Sequence, residues 1–578
     1  MSPHNVVQGI DDATPARHKL SRAVALALLA LSVNAKAFQF ETGNPDLDIR
    51  WDNSLRYNAM FRVEKADDEL ASSPLFDDST LAFSRGLVSN RLDLVSELDV
   101  IWNGQNGFRI SGAAWYDSVY HGDSDHPATS FTWGSPSVRV GKFNQEAKDL
   151  HGRDVELLDA LVFGTVQLGS TSLTARAGRH TLFWGQSLLT SGALHGVAGS
   201  MAPIDAAKAF SVPGAEVQEL FMPTTKVSAS WQATPSLTFS GYYSFEFREH
   251  RLPAVGSYAS TAEILPRKAE FAAIIPRPDL GLAAGLKRDG SEDEDEGEFG
   301  LGLEYYLGGL DADFGLYYLN YHDKLPSGLV AEINGLQAGG LIPPEMVGPV
   351  DAAVGRMKMT YKDDIDLFGL SASKELWGIS FGADLVYRQD QPLAQDLEAA
   401  LSSRVVLVPP GTPTEFDSFD ASNYGGPTGD TLHFVANAFG FLNANALWQG
   451  GNYIVELTAA RLEDINDAHK AFAAKHLVDS SGDADDSIST TLAVNFTPEW
   501  YQVFPSMDMK MPLSVSYGLA NDAPIILGGT EDVGNFAIGL TFIYRQELQM
   551  DIKYSQALGS DSPSKDRDFV SLTAKYTF

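Results

Sequence analysis

The chain of 578 residues has no cysteine. That excludes disulfide staples, thiolate zinc centres, iron–sulfur clusters and cysteine nucleophiles, and it fits a chain exported to an oxidising compartment. Hydrophobic residues make up 44% of the sequence, yet no run approaches the roughly 18 consecutive apolar positions that a membrane helix needs. Basic residues are scarce, 42 against 75 acidic, for a net charge of −33. Nucleic-acid binding is therefore excluded as the main task, because phosphate neutralisation needs a basic face. Walker, H-E-x-x-H and paired-cysteine motifs are missing too, and no metal or cofactor is expected. What is present argues against plain disorder, since disordered acidic chains are poor in aromatics. This one carries 32 Phe, 20 Tyr and 9 Trp, with 52 Gly.

Near the start, Arg17, His18, Lys19 and Arg22 precede an apolar run from Ala23 to Val33, followed by Ala35-Lys36-Ala37. Charge, apolar run and small residues in that order predict a removable export signal over 1–37. The rest, 38–578, reads as a single domain.

That domain alternates. Over 47–63, Leu47, Ile49, Trp51, Leu55, Tyr57, Ala59, Phe61 and Val63 oppose Asp48, Arg50, Asp52, Ser54, Arg56, Asn58 and Arg62. Successive side chains on a strand point to opposite faces, so one face is apolar and the other charged. The pattern returns at Val227, Ala229, Trp231 and Ala233, at Leu237, Phe239, Gly241, Tyr243, Phe245 and Phe247, and at Ile379, Phe381, Ala383, Leu385 and Tyr387 against Ser380, Asp384 and Arg388.

Three features favour a membrane barrel over a soluble sandwich. Many segments run about 10 residues, the length a tilted strand needs to cross a bilayer. Aromatics gather near segment ends. Short connections, near Pro235, Gly308-Gly309, Trp377-Gly378, Pro498 and Gln546, alternate with long ones, over 249–297, 322–360, 389–430, 463–488, 520–534 and 556–567. The final segment alternates Val570, Leu572, Ala574, Tyr576 and Phe578 with polar residues and ends on Phe, as a terminal strand presented for outer-membrane assembly does. Lipid offers no hydrogen-bond partners, so the sheet must close on itself. The expectation is an all-β, transmembrane antiparallel β-barrel of about 16 strands in the Gram-negative outer membrane, too wide for side chains alone to fill.

Residues 181–223 break the rhythm with an apolar, Gly/Ala-rich stretch. A long unpaired segment inside a compact fold is usually functional, and the expected place is the lumen, as a constriction or plug. Arg179, His180, Trp184, Gln186, Asp205 and Glu216 are the candidates for a polar and aromatic solute path. Arg179 paired with an acid would fix the plug, and Trp184 would offer a flat apolar wall.

The run Gly178-Arg179-His180-Thr181-Leu182-Phe183-Trp184-Gly185-Gln186-Ser187 resembles the G-R-Q-x-x-x-W-G-[EQ]-S motif of the DUF1302 outer-membrane proteins. Pro203-Ile204-Asp205, Pro213-Gly214-Ala215-Glu216 and Leu220-Phe221-Met222-Pro223 follow at similar spacing. The sequence departs from the family at His180, where Gln is usual, and at Met201-Ala202, where an Asn is usual. The resemblance implies transport of hydrophobic compounds such as lipids, steroids or hydrocarbons, with a periplasmic DUF1329-type partner and an RND-type inner-membrane transporter. Its immediate surroundings would be outer-membrane lipid and lipopolysaccharide.

Other chemistry is weakly signalled. Gly122-Asp123-Ser124 resembles the start of a GDS-type lipase block, so an outer-membrane lipid or ester hydrolase is an alternative, with Ser124 or Ser187 as nucleophile. A structural or adhesin barrel is another. The acidic stretch Ser291–Glu298 and the group Asp479, Asp483, Asp485 and Asp486 lack EF-hand spacing and read as solvated loops.

Overall fold

A computed structural model describes residues 38–73, 76–127, 140–215, 217–261, 265–266, 271–277, 282–291, 297–333, 353–395, 426–466, 473–479 and 481–578. The expected export signal and the middle of the acidic stretch at 292–296 lie outside these residues.

The wall is a single closed antiparallel sheet. In chain order its strands are β1 (Leu47–Arg62), β2 (Gly86–Trp102), β3 (Asn106–Asp117), β4 (Arg153–Leu168), β5 (Thr171–His180), β6 (Thr224–Thr234), β7 (Leu237–Ser244), β8 (Phe299–Leu307) and β9 (Ala312–Tyr321). They continue as β10 (Ile365–Leu376), β11 (Ile379–Pro392), β12 (Thr428–Phe441), β13 (Gly450–Ile465), β14 (Ile488–Phe504), β15 (Met507–Lys510 with Leu513–Ala520), β16 (Gly534–Tyr544), β17 (Leu548–Leu558) and β18 (Phe569–Thr577). β15 is interrupted at Pro512, which has no N–H to give the ladder; both pieces pair with β14 and β16. Each strand pairs with its sequence neighbours, and β1 closes the ring on β18 from Ser54↔Thr577 to Arg62↔Phe569. Phe38–Gln39 adds a short bridge beside β1, and a separate four-stranded sheet forms from Phe271–Arg277, Leu282–Ser291, Gly328–Ile333 and Ala353–Thr360.

The barrel therefore has 18 strands, not about 16. The undercount has a physical cause. Inward positions such as Tyr317, Leu319 and Tyr321 on β9, Leu367 on β10 and Val386 on β11 are apolar because they pack against the segment that follows β5. Alternation between grease and charge is lost there. A second correction concerns Pro498, which was expected at a turn. β14 runs through it, opposite Gly451, and turns only at Ser506, whose φ is +60°.

Every even-numbered strand is followed by a short turn and every odd one by a long segment. The two-residue turn Trp377-Gly378 has φ of +56° and +77°, the left-handed pair that matches hairpin twist. The outer face is apolar around the ring, with Trp51, Val162, Leu301, Leu316, Leu370, Phe434, Leu540 and Leu572 exposed. On the inner face of β1, Arg56, Asn58 and Arg62 are buried. A sealed sheet with a lipid-facing apolar band is the architecture of the Gram-negative outer membrane, and by that rule the long segments lie outside the cell. They fold on one another: Phe83, Tyr120, Phe143 and Tyr258 form one aromatic cluster.

Candidate functional site

The segment from Thr181 to Pro223 leaves β5 on the long-loop side and contains four short helices, α1 (Thr190–His195), α2 (Ala198–Met201), α3 (Ala206–Ser211) and α4 (Val217–Leu220). Single turns of this length are not stable alone. Contacts with the inner face of the wall hold them.

Trp184 is buried, stacked on Tyr317 of β9 at 5.6 Å and edge-on to Tyr242 of β7 at 5.4 Å. Next to it, the main-chain N–H of Gln186 donates to both oxygens of Asp384 on β11 at 2.9 Å, and the Asn437 amide donates to the Gln186 carbonyl at 2.6 Å. Gly185 sits at φ +89°, and a Cβ there would lie 2.8 Å from the Asp384 carboxylate. Leu189, the N-cap of α1, has no side chain able to cap the helix. Glu456 of β13 does that work from across the lumen, accepting from the N–H groups of Leu188 (2.7 Å), Leu189 (3.2 Å) and Gly192 (3.0 Å). A carboxylate at a helix N-terminus satisfies orphan donors and complements the dipole. At Gly192 a Cβ would fall 2.3 Å from Glu456.

α1 ends on His195, whose Nδ1 lies 2.9 Å from Nδ1 of His433 on β12. The Gly528 carbonyl, 2.7 Å from His195 Nε2, can only accept, so that nitrogen carries the proton. Nδ1 of His195 then accepts from His433, whose Nε2 accepts from the Thr431 hydroxyl at 2.9 Å. Burial, with Arg388 adding like charge, holds His195 at about 4 instead of 6.5. Arg388 of β11 donates to the carbonyls of Leu194 and Gly196 at 3.0 and 2.9 Å.

The second half of the segment is held by charge. Asp205 caps α3 through the N–H of Lys208 (2.8 Å) and pairs with Arg251 at 2.8 Å. Arg251 also meets Glu156 of β4 at 2.7 Å. Arg56 of β1 pairs with Glu219 and donates to the Gly214 carbonyl at 2.9 Å.

The six sequence candidates thus separate. Trp184, Gln186 and Asp205 meet the wall or its loops, Gln186 through its backbone. His180 ends β5, bonded to Ser228 at 2.9 Å and to the Gly178 carbonyl at 3.0 Å. Arg179 does pair with an acid, but with Glu246 after β7 at 2.8 Å, so it ties strand ends together and does not fix the 181–223 segment. Glu216 lies outside the described residues; the ion pair in that stretch belongs to Glu219. Sequence reading did not single out Glu456, His195, His433 or Arg251. For Glu456 a signal existed: an acid inside the otherwise apolar run Tyr453-Ile454-Val455-Glu456-Leu457.

At the outer mouth a cavity of about 640 Å³ opens between the segment and strands β14–β16. Phe76, Phe210 of α3, Leu265, Ile525, Ile526 and Leu527 give it an apolar lining. Phe210 and Leu527 are more than half exposed, at 58% and 53%.

Other sequence signals sit in the outer loops. Ser124 is buried and, among the described residues, makes no hydrogen bond to a histidine. Asp479 closes its own turn by accepting from Ser481 and Asp483. Among the described residues one group has cation-like spacing, Asp77, Asp78 and His126, with ligand atoms within 4.8 Å. His126 Nε2 is 3.5 Å from Asp78, so an ordinary buried pair uses the same atoms.

A family model described as "Protein of unknown function (DUF1302)" matches residues 19–578. No curated protein matches the chain. Among solved structures, it is similar to Pseudomonas aeruginosa OccK2 (OpdF) in complex with glucuronate, at 11% identity over 92% of this chain and 98% of that one, with a TM-score of 0.37. Acinetobacter baumannii OccAB4 gives 9% identity, the same coverages and a TM-score of 0.39. P. aeruginosa OpdK with vanillate gives 9%, again 92% and 98%, and 0.37.

Proposed function

This chain belongs to the DUF1302 family, and on that premise we propose that it is an outer-membrane channel for a hydrophobic or amphipathic small molecule, with residues 181–223 as its luminal constriction. The observation that carries the reading is the 640 Å³ apolar cavity at the outer mouth. Its size falls within the roughly 300–1,000 Å³ of small-molecule sites. Exposed Phe210 and Leu527 are costly to leave in water, and a greasy solute covers them. The pinned segment bars free diffusion beneath the cavity, so passage requires part of it to move. On the periplasmic side the same reading hands the solute to a DUF1329-type carrier and an RND-type transporter.

The test is uptake of a fluorescent fatty acid or sterol into proteoliposomes. Replacing Ile526 and Leu527 by Asp is expected to cut uptake at least fivefold while leaving the heat-modifiable folded band intact. Unchanged uptake in a folded double variant would reject the cavity as the route.

A further inference from the structure

Which solutes the channel takes is a narrower question, and its answer rests on the channel reading above. On the other side of Ile525–Leu527 lies a smaller cavity of about 60 Å³, bounded by Leu194 and Ser200 of the segment and by Tyr321, Arg388 and Gln391 of the wall. Water needs roughly 10–15 Å³ by such a measure, so about four waters or a small polar head group fit there.

Arg388 is 3% exposed. It lends one terminal nitrogen to the Leu194 and Gly196 carbonyls, and its buried Nε has no hydrogen-bond partner among the described residues. No carboxylate among the described residues pairs with it. The titratable groups around it are His195, His433 and Tyr321, none of them an anion. His322 also lines the cavity. Its Nδ1 accepts from the Asp364 N–H at 3.4 Å, with the Asp363 carboxylate 3.7 Å away, which leaves a proton on Nε2, and among the described residues that buried nitrogen has no acceptor. The remaining charged groups are already satisfied. Lys324 is held by Glu298 at 2.6 Å, and Asp323 accepts from the Leu325 N–H and the Ser327 hydroxyl at 3.2 and 2.9 Å.

A buried cation with no counter-ion is strongly disfavoured. Beside a cavity, a planar guanidinium is matched by a carboxylate. The same loop, Ile525–Leu527, lines both cavities, so one molecule can straddle it. We infer that the smaller cavity receives the carboxylate head of an amphipathic solute whose apolar body lies in the larger one, with Arg388 pairing the charge and His322 Nε2 donating a further bond.

The test uses the intact barrel in planar bilayers and four probes: 5-phenylvalerate, 5-phenylpentanol, 5-phenylpentylammonium and acetate. The read-out is the concentration that half-blocks the single-channel current. The carboxylate is expected to block at about tenfold lower concentration than the alcohol or the ammonium, as a charge-assisted bond implies, and Arg388→Gln should erase that preference. Equal block by carboxylate and alcohol overturns the head-group assignment and leaves the channel reading standing. Acetate blocking as well as phenylvalerate makes this a small-anion site and overturns the amphipath. If none of the tailed probes blocks or permeates, the channel reading fails and this inference with it. A preference that survives Arg388→Gln overturns the site. Should that variant not assemble, Leu194→Trp fills the cavity with Arg388 in place; the preference must then vanish, and its persistence is equally fatal.

Discussion

The two halves of the 181–223 segment are held by opposite means. In the first, wall carboxylates Asp384 and Glu456 accept main-chain N–H groups, and Trp184 fills an aromatic seat. In the second, the segment supplies the acids: Asp205 and Glu219 pair with Arg251 and Arg56. Backbone bonds to a buried carboxylate are short-range and fixed in geometry. Arg56 and Asp205 are buried, but Glu219 and Arg251 each keep 20% of the side chain exposed, so salt screens these pairs in part. On the channel reading proposed above, the first half is the fixed anchor and the second half the part that yields.

The largest expected effect removes the anchor. Trp184→Ala should weaken docking of the first half by about 3–5 kcal/mol, the usual cost of emptying a large aromatic site, seen as new protease cleavage within 184–201. Cleavage confined to 202–223 would reverse the assignment of anchor and door.

Glu456→Ala orphans three N–H groups at the start of α1, that of Gly192 buried and those of Leu188 and Leu189 partly buried. A docking loss of roughly 3 kcal/mol is expected, read as faster amide hydrogen exchange at Leu188, Leu189 and Gly192. Retained protection would mean that the helix caps itself.

Acid should act on the first half as well. His195 takes its proton near 6.5 when released but only at about 4 when docked, so the released state binds more protons between those values and docking weakens as pH falls. The contribution is complete above about pH 6.5 and loses up to roughly 3 kcal/mol by pH 4. Channel current noise should rise across that window, and His195→Gln should flatten it; an unchanged profile in the variant assigns the effect elsewhere.

Arg251→Met leaves Asp205 without its cation, while Glu156 keeps Arg248. About 2 kcal/mol of second-half docking should go, and with it the salt sensitivity of current noise; a variant as salt-sensitive as the wild type would contradict the charge-held door. The smallest effect belongs to Glu246→Gln. Its pair with Arg179 is partly exposed and off the segment, so less than about 1 kcal/mol is expected, with conductance unaltered.

The same contrast explains what could be read in the sequence. Lipid-facing residues such as Trp51, Leu301 and Leu572 alternate cleanly, because nothing but lipid meets them, and they disclose the barrel, its closing strand and its loop asymmetry. Inward residues answer to a partner distant in the chain. Leu319 and Val386 are apolar because Trp184 and Met201 pack there, so alternation fades and two strands are lost from the count. The motif around Trp184 marked a segment that packs against the inner wall. Its partners, Asp384 and Glu456, follow it by 198 and 268 positions, and nothing local names them. Arg179 shows the converse: a motif arginine whose acid lies on the next hairpin, not on the segment.

The central claim is that this segment, and not the wall, sets the resistance of the pore. It is tested most directly by replacing 185–215 with a short Gly/Ser linker and recording single-channel conductance. A barrel that assembles and conducts several-fold more than the intact protein is the predicted result. An assembled barrel with the original conductance would contradict the account.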